Sequence, residues 1–317
     1  MKNEQMIVPN KVNIWEVLPR DGFQMEDKWI PTEEKIRIIR GLASTGIKHI
    51  EVTSFVHPRA IPQLKDAEEV VKRVQDLDGV KFRALVPNLR GAERAINAGM
   101  KKIKILLSAT DSHSLSNSNC IVKEAQMDHL PIVELAGKYG VEVGGSIAVA
   151  FGCPYEGKVP LEKIVSILEG YKKMGVNEVS LADTAGMGNP KQVSETLSII
   201  RGLFPSFKFT LHLHNTRGMA FANAVAALQQ GVTDFDSSTT GLGGCPYAPN
   251  AAGNIPTEDI VHGFHEMGIQ TAINLDSLLE VASNIKSTIG HDGGSFILKA
   301  GPNNRLHSKP KGQKKLG

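Results

Sequence analysis

One signal recurs along this chain and limits its fold more than any other. A helix-like stretch ends in Gly, and a short run rich in β-branched and apolar residues follows at once. It appears as "STGIKHIEV" at Gly46, "LDGVKFRALV" at Gly79 and "NAGMKKIKILL" at Gly99. It returns as "KYGVEVGGSIAVA" at Gly140, "KMGVNEVSL" at Gly175 and "QQGVTDFDSST" at Gly231. A Gly just past a helix end takes the left-handed conformation there without a Cβ clash. Between Gly175 and Gly231, "LFPSFKFTLHLH" repeats the unit with Pro205 in place of Gly, and "KVNIWEVLP" supplies a first strand. Helical patterns lie between the strands, as in "TEEKIRIIRGLAS", where Thr32 reads as the N-cap. Strand–helix alternation predicts a parallel sheet, and eight strands close most economically as a (β/α)8 TIM barrel. An open doubly wound sheet is the competing architecture. No Gly-rich nucleotide fingerprint follows the first strand, which counts against it.

The 317 residues are expected to form one catalytic barrel domain over 1–300, ending in an appended helical extension after about residue 269. A basic, disordered tail is expected over 301–317. The net charge is +3, and Arg305, Lys309, Lys311, Lys314 and Lys315 supply five positives without an acid, so the body alone stands at −2. Such a balance points to no nucleic-acid partner. Cys120, Cys153 and Cys245 are odd in number and far apart, which argues against a disulfide framework and for a reduced, cytoplasmic setting. "MKNEQMIVPNK" lacks the apolar centre of a secretion signal, and no run reaches the ~18 apolar residues of a membrane span, so no membrane association is expected.

In a TIM barrel the chemistry gathers at the C-terminal ends of the strands. Those ends here are "LPRDGFQ", "IEVTSF", "LVPN", "LLSATDSHS", "AVAFGCPYEG", "SLADTAG", "LHLHNTRG" and "STTGLGGCPYAPNAAGNIPTED". Arg20, Asp21, Glu51, Asp183, His212, His214, Cys245 and Glu258 therefore share one rim. His212 and His214 are two apart, so in a strand they project to the same face. Two imidazoles buried together need partners, because an unpaired buried polar group costs a few kcal/mol. A divalent ion satisfies both. Asp21, at the end of a strand two places away around the closed sheet, can reach the same ion, and Asn254 on the loop after the last strand can add an oxygen. Nitrogens mixed with oxygens suit Mg²⁺ or Mn²⁺ better than a closed zinc site. Cys245 sits in the Gly-rich "GLGGCP" and Cys153 in "FGCPYEG"; chemistry alone does not separate the two thiols.

These motifs together carry a resemblance. "PRDGFQME", "IEVTSFVHP", "GCPYEG", "DTAG", "HLHNTRGMAFAN" and "GLGGCPYAPNAAGNIPTED" resemble the 3-hydroxy-3-methylglutaryl-CoA lyases, within the wider group of metal-dependent (β/α)8 enzymes that cleave or form carbon–carbon bonds. The similarity runs from about residue 11 to 290, and "GLGGCPYA" with its downstream "GN" and "TED" is the specific part. The resemblance implies that Asp21, His212, His214 and Asn254 ligate the divalent metal. It implies that Arg20 stabilises a developing enolate and that Cys245 protonates it. Asp183, Glu51 and Glu258 would be supporting acids beside the catalytic set, with Gln24 and Arg217 as further supporting residues. Asp21 or His212 is placed to take the substrate hydroxyl proton. The implied reaction is retro-Claisen cleavage of 3-hydroxy-3-methylglutaryl-CoA to acetyl-CoA and acetoacetate, by an enzyme expected to be a homodimer. Two sites depart from the family: Asn215 and Arg217 stand where Asp and Tyr are common, and Ala182 and Ala185 where Gly and Ile are common. Arg217 in particular leaves room for a related substrate, such as citramalyl-CoA or a longer branched 3-hydroxyglutaryl-CoA.

Overall fold

The glycines that close the repeats behave as their positions require. Gly46, Gly79, Gly99, Gly140, Gly175 and Gly231 all have positive φ, from 65° at Gly140 to 102° at Gly46. At Gly46 a Cβ would stand 2.3 Å from the Ala272 carbonyl oxygen, so any side chain there would displace backbone. A computed structural model describes residues 6–244, 253–306 and 308 of the chain. Its strands are β1 (Asn13–Glu16), β2 (His49–Ser54), β3 (Lys81–Leu85) and β4 (Lys102–Ser108). They continue as β5 (Glu142–Ala148), β6 (Glu178–Asp183), β7 (Lys208–Leu213) and β8 (Asp234–Ser237). All eight units predicted from the repeat are present, and they form a closed barrel in sequence order. Every neighbouring pair is parallel, and β1 meets β8 with Asn13 opposite Asp234 and Glu16 opposite Ser237. The TIM-barrel expectation holds and the open sheet is excluded.

Eleven helices surround or follow the strands among the described residues. They are α1 (Thr32–Ser44), α2 (Ala67–Val74), α3 (Leu89–Asn97), α4 (Asp111–Ser118), α5 (Val122–Lys138) and α6 (Leu161–Lys173). Then come α7 (Pro190–Leu203), α8 (Ala220–Gln229), α9 (Thr257–Glu266), α10 (Leu275–Ile289) and α11 (Ile297–Ala300). The last two are the expected C-terminal addition, and α10 packs on α1 and α9. Thr32 is not the N-cap of α1. It is the first helical residue, Pro31 takes the cap position with ψ 147°, and the Thr32 hydroxyl instead donates to Asp66 Oδ2 at 2.8 Å. Proline's fixed φ pre-sets the entry into the helix, which leaves the threonine free for a tertiary bond.

The main apolar layer lies between sheet and helices. Ile38, Ile39 and Leu42 of α1, Val70 and Val74 of α2, and Phe264 of α9 are buried with the outward-facing Ile103, Ile105, Leu181, Leu211 and Phe235. Each such side chain contributes about 1.5–3 kcal/mol of burial. The inward positions differ in kind. Glu51, Arg83, Lys104, Ser180, His212 and Asp236 are all buried inside the barrel and in contact with one another or with the rim. A charged interior is costly unless every charge is paired. The apolar shell therefore holds the fold, and the polar interior serves the site above it. No helix among the described residues is long and apolar enough to cross a membrane. Most of the segment 301–317, and residues 245–252 with Cys245, lie outside the described residues.

Candidate metal centre

The end of β7 sets the histidines. Period-two alternation turns His212 inward, and His214 follows one residue past Leu213. Residues 253–256 then run beside this end. Asn215 N donates to Gly253 O at 3.0 Å and Ile255 N to Leu213 O at 2.9 Å, so His214 and Asn254 form a bridge pair. Asp21 comes from the opposite side, on the buried turn Leu18–Gly22 directly after β1. Barrel closure between β1 and β8 brings that turn over His212.

Asp21, His212 and His214 are the one group of three such ligands among the described residues, with their donor atoms within 4.8 Å of one another. His212 Nε2 and His214 Nε2 stand 3.1 Å apart. They lie 3.7 and 3.9 Å from Asp21 Oδ2. Two ligands about 2.1 Å from an octahedral ion, at right angles, stand about 3.0 Å apart. Asn254 donates Nδ2 to Asp21 Oδ2 at 2.6 Å, while its Oδ1 is buried without a partner among the described residues. A buried carbonyl oxygen with no donor, beside two imidazole nitrogens and a carboxylate, fits a divalent cation. Burial, with neighbouring His212 and Arg20, pushes His214 down to about 3, so its imidazole is neutral and ready to ligate. Burial would raise the Asp21 carboxyl, but Arg20 and the two histidines reverse this and hold it below the usual range. The four residues expected from the sequence as ligands thus stand together.

The approach of these groups requires the Gly-rich segment. Gly243 has φ +106°, and a Cβ there would meet Asn254 Nδ2 at 2.4 Å and Asp21 Oδ2 at 3.2 Å. Only glycine lets the backbone pass this close.

Arg20 leans on two carboxylates. Nη1 donates to Asp21 Oδ1 and Nε to Glu51 Oε1. No described residue engages its Nη2. Glu51 is fully buried and shared: Oε2 also accepts from Arg83 Nε at 2.6 Å and lies 3.5 Å from Lys104 Nζ. Burial opposes its ionisation, but Arg20, Lys104 and Arg83 hold it well below the usual carboxylate range. Gln24 reaches Asp21 Oδ1 at 3.3 Å.

The remaining expected residues are placed less centrally. Asp183 ties its own loop, accepting from Met187 N at 2.8 Å and Gly188 N at 3.1 Å, and burial raises its carboxyl. Glu258, at the start of α9, accepts from Thr240 N at 3.1 Å on both oxygens, and burial pushes it up to about 8. It props the turn after β8, where Thr240 has φ 65°, and does not join the ligand group. Arg217 donates to the carbonyls of Ala185 at 2.8 Å and Gly186 at 3.1 Å, clasping the loop after β6. Cys153 is fully buried, with Sγ 3.1 Å from the Thr110 hydroxyl and 3.4 Å from Tyr155 N. It packs its loop.

Comparison with known proteins gives this geometry a context. Residues 11–285 match a family described as HMGL-like. The chain belongs to the HMGL-like family. A Bacillus subtilis hydroxymethylglutaryl-CoA lyase, YngG, is 44% identical over 90% of this chain and 95% of its own length. The human mitochondrial hydroxymethylglutaryl-CoA lyase is 39% identical over 92% of this chain and 90% of its own. Among solved structures, an HMG-CoA lyase from Acinetobacter baumannii in complex with coenzyme A and 3-methylmalate is 41% identical, with a TM-score of 0.92 over 95% of this chain and 98% of that one. The carboxyl transferase domain of Rhizobium etli pyruvate carboxylase, 14% identical with a TM-score of 0.70, shares the barrel alone. This HMGL-like chain is thus an enzyme of a divalent-metal-dependent lyase family.

Sequence reasoning missed four buried charged residues in the HMGL-like barrel, Asp236, Arg83, Lys104 and Glu16. Asp236 sits opposite His212 in the β7–β8 register, its Oδ2 3.3 Å from His212 Nδ1. It also takes Arg83 Nη2 at 2.8 Å and Lys104 Nζ at 3.0 Å. The fourth is Glu16, fully buried, which accepts from Leu18 N at 2.9 Å, Thr239 N at 3.0 Å and the Thr257 hydroxyl at 2.8 Å. It pins the Arg20–Asp21 turn to the segment after β8. The signal for Asp236 was available in part: "FDSS" puts an acid in a strand beside the His-x-His strand.

Proposed function

We propose that this enzyme cleaves 3-hydroxy-3-methylglutaryl-CoA by a retro-Claisen reaction, giving acetyl-CoA and acetoacetate. The observation that carries the reading is Arg20 held beside the Asp21–His212–His214–Asn254 group, with Nη2 not engaged by any described residue. It pairs a cation for an enolate with a site for a Lewis acid. Relatives bearing that activity, at 39–44% identity over nine-tenths of the chain, support it.

Mg²⁺ or Mn²⁺ would be held by Asp21, His212, His214 and Asn254, and when bound it supplies the Lewis acidity that makes the substrate C3 hydroxyl easier to deprotonate. The hydroxyl proton passes to a base at the rim, for which Asp21 and His212 are the nearest groups. The C2–C3 bond breaks, acetoacetate forms at C3, and the electron pair enters the thioester to give the acetyl-CoA enolate. Arg20 offsets that charge from a fixed position. Its burial would favour the neutral form, but Asp21 and Glu51 keep the guanidinium ionised. A donor pre-aimed where charge develops is commonly worth several kcal/mol to the barrier. Protonation at C2 completes acetyl-CoA, and the family resemblance gives that proton to the Cys245 thiol. Glu51 and Gln24 steady Arg20 and Asp21; Asp183, Glu258 and Arg217 steady the loops around them.

The reading with a related acyl-CoA rested on Arg217 and Asn215, and Asn215 spends its Oδ1 on Ala220 N at 3.2 Å. Arg217 Nη1 donates to the Ala185 and Gly186 carbonyls, and no contact specific to a related substrate supports that reading. A cleavage assay with Mg²⁺ or Mn²⁺ on 3-hydroxy-3-methylglutaryl-CoA and on citramalyl-CoA tests the proposal. Release of acetoacetate from the first is expected, and metal-loaded protein inert on it overturns the assignment.

A further inference from the structure

The Arg20 side and the histidine side of the centre meet at one residue of the barrel interior. Arg83 on β3 gives Nε to Glu51 Oε2 at 2.6 Å and Nη2 to Asp236 Oδ1 at 2.8 Å. The far oxygen of Glu51 takes Arg20 Nε, and the far oxygen of Asp236 stands 3.3 Å from His212 Nδ1. We propose that Arg83 is a positioning residue for the reaction. Its guanidinium fork fixes Arg20 through Glu51 and His212 through Asp236, so the enolate-facing cation and the metal ligand act as one unit. This rests on the lyase reading only for its catalytic readout.

Three requirements lead to this. A histidine that ligates through Nε2 must carry its proton on Nδ1, and that proton needs an acceptor to fix tautomer and ring angle. Asp236 is the carboxylate in reach of His212 Nδ1, which stands 3.3 Å from its Oδ2 and has no aligned hydrogen-bond partner among the described residues. A carboxylate buried this deeply needs cations against it, and Asp236 takes Arg83 Nη2 at 2.8 Å and Lys104 Nζ at 3.0 Å. Finally, the link must be stiff. A guanidinium presents parallel donors in a fixed plane, whereas an ammonium is a rotating point charge. Lys104 touches the same two carboxylates, at 3.0 Å from Asp236 and 3.5 Å from Glu51. It supplies charge, and Arg83 supplies direction. Arg83 is itself immobilised, nearly fully buried with its guanidinium carbon 4.2 Å from the Trp15 ring centre.

The charges close as well. Arg20, Arg83 and Lys104 balance Asp21, Glu51 and Asp236 one for one. These six paired side chains add no net charge, so they do not themselves neutralise a divalent cation bound above them.

The experiment uses full-length protein carrying Arg83→Lys, Asp236→Asn, and both. Folding is followed by circular dichroism, Mn²⁺ affinity by titration calorimetry, and kcat and KM by acetoacetate release. Each single change is expected to weaken Mn²⁺ binding about tenfold or more, the usual effect of losing a ligand's supporting partner. kcat is expected to fall with KM within about twofold, because the acyl-CoA contacts are untouched. The double variant is expected to be no worse than the worse single, since both break the same link. Folded Arg83→Lys with wild-type Mn²⁺ affinity, or losses that multiply in the double, overturns the proposal. If Arg83→Lys does not fold, Glu51→Gln and Asp236→Asn, the two arms of the fork, carry the same additivity test. Wild-type protein that binds Mn²⁺ but leaves the thioester intact overturns the lyase reading, while the calorimetric result still decides this one.

Discussion

Asn254 gives its amide nitrogen to Asp21 and keeps its carbonyl oxygen for something else. The Nδ2–Oδ2 bond is 2.6 Å, and Oδ1 is buried with no partner among the described residues. One side chain thus orients a carboxylate ligand and offers a ligand of its own. Asn254→Ala removes both functions. Mn²⁺ affinity is expected to drop at least about tenfold, with a stability loss of about 1 kcal/mol for the hydrogen bonds to Asp21 and Leu242. Calorimetric Mn²⁺ titration and urea unfolding measure the two. Unchanged affinity removes Asn254 from the ligand set.

His214 adds no proton competition to that site, since burial holds its imidazole neutral down to about pH 3. His214→Ala is expected to abolish Mn²⁺ retention through gel filtration, read by elemental analysis. Retention at the wild-type ratio contradicts the assignment.

Glu51 is the carboxylate on which Arg20, Arg83 and Lys104 all depend. Glu51→Gln leaves three buried cations with one fewer anion. Removing one partner of a buried ion pair commonly costs about 3–5 kcal/mol. A loss of that size is expected in urea unfolding, together with a fall in kcat as Arg20 loses its support. A change below about 1 kcal/mol would mean that the interior charges are solvated and not paired.

Gly243 is strict on steric grounds. Its φ of +106° disfavours any side chain, and a Cβ would intrude on Asn254 and Asp21. Gly243→Ala is expected to lower kcat and Mn²⁺ affinity together, while the apolar shell and the thermal midpoint change little. Wild-type kinetics in this variant would show that the segment shifts freely.

Glu258 makes stability depend on pH. Burial raises its carboxyl to about 8, against an ordinary value of 4.5. Between those values the folded chain binds more protons than the unfolded one. The contribution is complete below the lower value and lost as pH rises through the upper. The thermal midpoint of the wild type is expected to fall between about pH 4.5 and pH 8 and to level off above that, and that of Glu258→Gln to fall less over the same window. Parallel curves would place the titration elsewhere.

The sequence by itself determined the barrel. Seven of the eight strands follow helix ends marked by a left-handed Gly, or by Pro205 in one unit, because that backbone turn is a local event that local residues specify. It also held most of the rim. Asp21, His212, His214 and Asn254 converge as expected, since strand ends and period-two spacing place them without knowledge of distant contacts. The loop with Cys245 lies outside the described residues, and Thr32 lost its cap role to Pro31. The interior charges were not legible. Arg83 in "VKFRALV", Lys104 in "KKIKILL" and Asp236 in "TDFDSST" look like ordinary strand charges. Alternation says which residues share a face, but not whether that face meets water or the barrel axis. Only closure of β1 on β8 decides it. Closure turns those side chains inward, removes their water, and leaves mutual pairing as the way to remain charged.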